Sequence, residues 1–291
     1  MFGRYDVLKQ VLQLDPKEDC QEITFLVGAY EYPWLIKKSL EFALFRTYAV
    51  PHTSRVLVAS GQFERHGQKR YDDTTLMLAG LTEKGYDSDY GQTVIATMNA
   101  LHGRWNLRNE DMLYVLSTFI FEPIRWHEKY GWRMPTEHEK KANFHFWREV
   151  GIRMNIKDIP ETLAEYEAFN ITHEQHYFRY DDANRAIGDA TVNLFVSWYP
   201  ALIRPLVREV ILSFMDDPLL NAMAFKKPHS SIRMMTHYGL KAVAFVMRFL
   251  PPRKEPFLYT AVPTPTYGAH FTPEELGAKV DEDAPAPVAR P

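Results

Sequence analysis

The sequence predicts an all-α fold, a single domain of roughly ten helices. Three observations carry this expectation. Apolar residues recur at three- and four-residue steps along most of the chain, the spacing that lines one face of an α-helix. Alternation with period two, the mark of a half-buried strand, is scarce, and no repeat of about 20 to 50 residues is present. A hydrophobic content of 46% in 291 residues suffices for a sizeable core, and no composition shift marks a linker.

Taken in order, Tyr5, Leu8, Val11 and Leu12 form a first stripe, Asp15-Pro16 breaks it, and Ile23 to Tyr30 resumes it. Pro33 opens the next helix, with Trp34, Leu35, Leu40, Phe42, Ala43 and Leu44 expected to turn inward. Thr53 to Ser60 is a short amphipathic piece stopped by Gly61. The polar stretch GQFERHGQKR then leads to a helix expected to begin near Tyr71 and to carry Leu76, Met77 and Leu81. The stretch Gly91 to Arg133 reads as two helices joined by a turn, Asn106 to Asp111, in which Asn109 and Asp111 are N-cap candidates. In the first, Val94, Met98, Leu101 and Trp105 share an apolar face, and His102 falls on it. The second, about Met112 to Ile124, is apolar nearly all round and so expected to be buried. Glu122 and Arg125 are expected to close it around Pro123.

Thr136 to Glu139 matches the capping box of a further helix that buries Phe144, Trp147 and Val150. Helices then follow from Glu161, from Asp182 to Trp198, from Leu206 to Phe214, a short one at Asp217-Pro218, and a strongly apolar one from Ile232 to Leu250. Periodicity ends at Pro251-Pro252. The polar, Pro/Ala-rich tail, residues 277–291, is expected to be disordered, which leaves residues 1–276 as the domain.

A net charge of -3 without a basic stripe argues against nucleic acid as a partner. Cys20 is the only cysteine, so no intramolecular disulfide can form, and a reducing compartment is expected. It sits in PKEDCQE, which reads as an exposed acidic turn unsuited to a thiolate. The first residues lack an apolar secretory core, and no run of about 18 uncharged apolar residues exists. An intracellular, soluble (cytoplasmic) protein is expected, with a peripheral place on a membrane as the alternative. The segment KAVAFVMRFL, Lys241 to Leu250, is able to touch a bilayer, although its length suits a core helix better. Phosphate loops, nucleophile elbows, zinc-protease helices and the C-x-x-C-H haem attachment motif are all missing.

Four sets of residues remain as candidates. His102, on an apolar face, reads either as a satisfied core histidine or as a haem or metal ligand. Arg70, Asp73 and Thr74 share one helical face, as a local Arg-Asp pair on a solvated turn or as part of a site. Glu122 and Arg125, charged within an apolar helix, are expected to pair for structural support rather than for catalysis. His173 and His176 are spaced to hold a non-haem metal, in a segment polar enough to argue against a shielded site.

Several segments, met in order, together resemble a known family: LEFALFRTYAVP, KRYDDT, MNALHGRW, DMLYVLSTFIFEPIRW, FWREVGIRM, NIKDIP and the ending PPR…TPTY…EELG. They resemble the mpaB-type oxygenases, a group that includes the endoplasmic-reticulum oxygenase of mycophenolic acid formation and, more distantly, the rubber oxygenases or latex clearing proteins. The resemblance runs from about Tyr5 to Gly277. It implies a globin-like core around haem b and its iron. It also implies oxidative cleavage by O2 of a carbon-carbon double bond in an apolar, isoprenoid-like substrate, giving two carbonyl ends. It gives His102 the role of axial iron ligand, with its second ring nitrogen donating to a carbonyl or carboxylate. Arg70, Asp73 and Thr74 match the Arg-x-x-Lys-Thr motif of the rubber oxygenases. There Arg70 is expected to meet dioxygen or a haem propionate, and Thr74 to offer its hydroxyl. Asp73 stands where those enzymes carry a lysine that can cap the iron, so a lysine-capped state is not expected. Some relatives also carry an N-terminal membrane anchor, and none is expected from the residues read here. The alternatives are a non-catalytic haem sensor or carrier and a haem-free helical protein that binds lipids.

Overall fold

A computed structural model describes residues 3–278 of the chain. These residues form thirteen α-helices and, in place of any sheet, one isolated bridge between Thr264 and Gly268. The all-α expectation therefore holds. Helices α1 (Asp6–Val11) and α2 (Cys20–Phe25) come first, and a π-helical turn over Leu26–Glu31 continues α2. Cys20 is buried in α2 rather than exposed on a turn. Burial raises the pKa of its thiol, and the Tyr86 hydroxyl lies 3.7 Å from its sulfur.

Helix α3 (Pro33–Tyr48) has proline in its first turn, where a missing N–H costs nothing, and Trp34, expected to turn inward, is 49% exposed because it leaves that first turn on the outer side. Helix α4 (Pro51–Ser60) ends at Gly61, whose φ is +63°. A side chain there would strain the backbone and fall 2.3 Å from the Arg65 guanidinium. Helix α5 (Gln62–Lys84) starts immediately, not near Tyr71. The polar stretch is thus helical, with a kink at His66 (φ -136°, ψ 36°) marking where the apolar pattern changes. Helix α6 (Asp89–His102) begins at Ser88, whose hydroxyl accepts from the Gly91 amide at 3.0 Å, and it ends on the candidate histidine.

Helix α7 (Asn109–Tyr130) departs from expectation at both ends. Neither Asn109 nor Asp111 caps it. Asn109 instead exchanges hydrogen bonds with the Lys157 backbone at 2.9 and 2.8 Å, and Asp111 accepts from the Arg108 guanidinium at 2.8 and 2.7 Å. Pro123 sits inside the helix without ending it. Tertiary contacts hold this stretch on both sides of the proline: Asn143 donates to the Ile120 carbonyl at 3.0 Å, and a buried ionic network grips the helix at Glu122. In that network Glu122 accepts from Arg125 at 2.9 Å and from Arg46 of α3 at 2.6 Å.

The remaining helices are α8 (Glu137–Arg153), α9 (Leu163–Tyr177), α10 (Asp182–Ser197), α11 (Arg204–Ser213), α12 (Asp217–Ala222) and α13 (Ser230–Met247). The capping box at Thr136 and Glu139 forms, and Thr162 with Glu165 forms another at the start of α9. Arg46 also pairs with Glu174 of α9 and with Asp216, the N-cap of α12, so one guanidinium ties four helices together. Burial alone would pull this guanidinium down, but the three carboxylates outweigh it and hold Arg46 well above its ordinary pKa.

Two hydrophobic clusters flank α7. One gathers Leu116, Ile120, Phe144, Phe146, Trp147 and Tyr166; the other gathers Phe42, Phe45, Tyr48, Trp126, Phe195 and Met215. Helix α13, expected to suit a core, contributes no buried residue. After it, residues 251–278 run back across the surface as a strap with two short 3-10 turns. Of the expected tail, Gly277 and Ala278 are ordered against the domain, and the rest lies outside the described residues.

Candidate functional site

Between α3, α4, α5, α6, α7 and α8 lies a largely apolar cavity of about 250 Å³, with about 1570 Å³ of atom-free space when its mouth is included. Met77, Leu81, Met98, Leu101, Phe119 and Trp147 supply much of its wall. His102, Arg70 and Thr74 also line it, so the fold brings these three candidates to one space. Gly277 and Ala278 of the strap close one side. The Gly277 backbone (φ +99°) comes so near that an added Cβ would lie 3.0 Å from Leu101 and 3.1 Å from Thr97. A smaller cavity of about 70 Å³ adjoins this one across Leu44, Thr74 and Leu78, which line both.

His102 is partly buried, and it lines the cavity. Its Nδ1 is sealed from solvent and has no hydrogen-bond partner among the described residues. The expected carbonyl or carboxylate partner for that nitrogen is therefore not there. Burial, reinforced by the positive charge of Arg70, lowers the pKa of the ring to about 4. The imidazole is thus neutral at physiological pH, the form able to bind a metal.

Arg70 stands one helical turn before Thr74 on α5. Its Nη1 donates to the Thr74 hydroxyl at 2.6 Å, and that hydroxyl donates in turn to the Arg70 carbonyl at 2.9 Å. The hydroxyl proton of Thr74 is therefore already used, and its oxygen serves to position the guanidinium. The Phe63 ring centre lies 5.6 Å from the guanidinium carbon. Among the described residues no carboxylate pairs with Arg70.

Asp73 does not line the cavity, although it was expected to join Arg70 and Thr74. One residue is about 100° of helical turn, so Asp73 leaves α5 on another face from Thr74. It is buried against the strap, accepting from Lys69 Nζ at 2.8 and 3.0 Å and from the Tyr267 hydroxyl. Lys69 also donates to the Gly277 carbonyl at 2.7 Å. Its neighbour Asp72 accepts from the Thr266 amide at 3.0 Å and from Gln68 at 2.9 Å. The four-residue spacing of Lys69 and Asp73 was a readable signal for this pair. Nothing local could have announced Tyr267, which arrives from far along the chain.

Glu122 and Arg125 lie in the ionic network described above, outside the cavity lining. His173 and His176 are not brought together. His176 is exposed, whereas His173 is buried and stacks on Tyr114 with ring centres 4.3 Å apart. Among the described residues no group of three or more His, Cys, Asp or Glu side chains could hold a metal ion.

Residues 42–249 match the family described as "ER-bound oxygenase mpaB/B'/Rubber oxygenase, catalytic domain". That span contains Arg46, Arg70, Thr74, His102 and Glu122, but not the strap. The chain is 27% identical to the ER-bound oxygenase mpaB' of Penicillium brevicompactum over 279 residues, 87% of this chain and 66% of that protein. It is 26% identical to the ER-bound oxygenase mpaB of Penicillium roqueforti (strain FM164), covering 72% of this chain and 76% of that protein. It is also 26% identical to the ER-bound oxygenase mpaB of P. brevicompactum, covering 77% of this chain and 66% of the relative. With a cavity that gathers the motif residues and a family match over most of its length, the chain belongs to the mpaB and rubber oxygenase catalytic-domain family.

Proposed function

We propose that this protein is a b-type haem-dependent oxygenase that uses O2 to cleave a carbon-carbon double bond of an isoprenoid or prenylated substrate. Both oxygen atoms enter the products, so one alkene and one O2 give two carbonyl groups. The observation that carries the reading is the neutral His102 ring, lining an apolar cavity with an orphaned nitrogen and sharing that cavity with an unpaired arginine.

The donor set fits a porphyrin. His102 is the one histidine among the described lining residues, and no group of three or more His, Cys, Asp or Glu gathers there, which suits an iron whose other ligands would come from a macrocycle and not from the protein. Aromatic and methionine-rich walls suit the faces of such a ring. Haem, once bound, would supply the iron that activates O2.

The chain's own residues do the rest. His102 would hold the iron through one ring nitrogen, since burial keeps the ring neutral and leaves one of its nitrogens free of a proton. Arg70, fixed by Thr74 and without a carboxylate of its own among the described residues, would be free to pair with an anionic group of the cofactor or of the substrate. The apolar walls take the hydrocarbon chain of the substrate, and the adjoining cavity behind Leu44 and Leu78 gives that chain room to extend. These walls also keep water from the reacting atoms.

The test is reconstitution of the purified chain with haemin. Wild type is expected to take up about one haem per chain, with a Soret band and a pyridine haemochrome of the b type. His102→Ala is expected to fold, by circular dichroism and thermal melting, yet to lose stable haem binding. A folded His102→Ala protein with an undiminished Soret band would refute the assignment.

A further inference from the structure

Helix α13 is apolar on two opposite faces. Inward, His237, Leu240 and Met247 pack toward α7 and the second hydrophobic cluster, with His237 bonded to the Tyr130 hydroxyl. Outward, Met235 (72% exposed), Tyr238 (66%), Phe245 (64%) and, just past the helix end, Phe249 (71%) follow one another at steps of three, seven and four residues, which keeps them on one face toward solvent. An ordinary surface helix shows polar residues there. Helix α11 packs against α13, and the turn leading into it exposes Leu202 at 91%. A helix of 18 residues is about 27 Å long, so the apolar stripe is well beyond a scattered side chain.

Along α13 and the residues flanking it the charges have one sign as far as Glu255, which follows Lys254. From Pro218 to Lys254 the chain carries no Asp or Glu. Lys241, Arg248, Arg253 and Lys254 are exposed and have no carboxylate partner among the described residues. Lys227 and Arg233, by contrast, pair with Asp217. An apolar stripe edged by unpaired cations is complementary to a surface that is apolar within and anionic at its edge. A second copy of this chain would set cations against cations.

We infer that the outer face of α13, with Phe249 and Leu202, is a docking surface for a bilayer containing anionic lipid. The helix lies along the headgroup boundary, since among the described residues no helix is long and apolar enough to cross a membrane. Met235, Tyr238, Phe245 and Phe249 enter the acyl layer, while Lys241, Arg248, Arg253 and Lys254 meet lipid phosphates and carboxylates. This assignment holds whatever reaction the cavity supports.

The test is co-sedimentation of the full chain with phosphatidylcholine vesicles, with and without phosphatidylserine, at low and high salt. The wild-type protein is expected to bind the anionic vesicles and to be released by salt. Arg248→Gln and Lys254→Gln are each expected to weaken binding about fivefold. The double variant Phe245→Ser/Phe249→Ser is expected to lose binding while keeping the wild-type melting temperature, since both side chains are outside the core. Failure of the wild type to bind either vesicle would overturn the inference, as would equal binding by the double variant. So would a wild-type dimer that the double variant abolishes, without vesicle binding, because the face would then belong to a second copy.

Discussion

His173 offers a sharp test of the electrostatics, at a distance from the proposed haem ligand. Its side chain is 1% exposed, lies flat on Tyr114 at 4.3 Å and 11°, and also touches the rings of Tyr177 and Phe169. Neither ring nitrogen has a hydrogen-bond partner among the described residues. Burial lowers its pKa from 6.5 to about 4, and Glu110, with an oxygen 3.7 Å from Nδ1, only partly opposes the shift. The folded state thus binds this proton less readily than the unfolded chain. The stability involved is fully present above the unfolded pKa and is lost as pH falls toward the folded value. At pH 5 the loss amounts to about 2 kcal/mol, rising to about 3 kcal/mol below pH 4. His173→Phe keeps the stack and removes the proton. The variant is expected to match or slightly exceed wild type at pH 7.5. At pH 5 it should exceed wild type by about 2 kcal/mol more, a gain of several degrees in melting temperature. Urea unfolding at the two pH values measures this directly. If wild type and variant lose the same stability between pH 7.5 and pH 5, the account of a buried, uncompensated imidazole is wrong.

The other sites give further tests. Arg46→Met leaves Glu122, Glu174 and Asp216 without their shared cation and is expected to destabilise the fold by about 3–5 kcal/mol. The deficit should shrink at pH 5, because burial already raises the Glu174 carboxyl and a folded pKa above the unfolded one makes the charged form costlier as pH rises. Denaturant titration at both pH values checks magnitude and sign together. Thr74→Val removes the hydroxyl that fixes Arg70. Haem uptake is expected to stay within about threefold of wild type, while turnover falls about tenfold or more. Unchanged turnover would show that Arg70 needs no such anchor.

Helix positions were legible where the apolar pattern and the caps are local, as at Pro33, Gly61 and Thr136. They were misread where tertiary partners decide. Pro123 signals a stop, yet α7 continues because Arg46, from far along the chain, holds Glu122 in place. The polar stretch before Tyr71 lacks an apolar stripe, and it is helical because Gly61 lets α5 begin directly after α4. Helix α13 shows the opposite failure. Its composition resembles a core helix, and only the structure reveals that its outer apolar face is left uncovered among the described residues. In the site, the apolar spacing around His102 placed it on an inward face, but the charge of its neighbours could not tell which way Asp73 turns. Helical geometry puts Asp73 and Thr74 about 100° apart, so sharing a motif does not mean sharing a cavity.

This division of α5 leads to a test of Asp73. Asp72 and Asp73 both turn to the strap, where Thr266, Tyr267 and Lys69 satisfy them. With its nearest acidic neighbours occupied, Arg70 enters the cavity with its charge unspent. Asp73→Asn keeps the shape but removes the charge that balances Lys69. Asp73 is 3% exposed and Lys69 29%, so the ammonium keeps some water together with the Tyr267 hydroxyl and the Gly277 carbonyl. The expected loss is therefore about 2–3 kcal/mol, below that for a fully buried pair. The strap should become more open to proteolysis between Thr264 and Gly277. Haem affinity should change less, since Asp73 does not touch the cavity. Unfolding curves and a timed digest followed by mass spectrometry read the first two effects, and a haemin titration reads the third. A variant with wild-type stability and an intact strap, but without turnover, would place Asp73 in the reaction itself. The separation of faces on α5 would then be the wrong description of how this motif works.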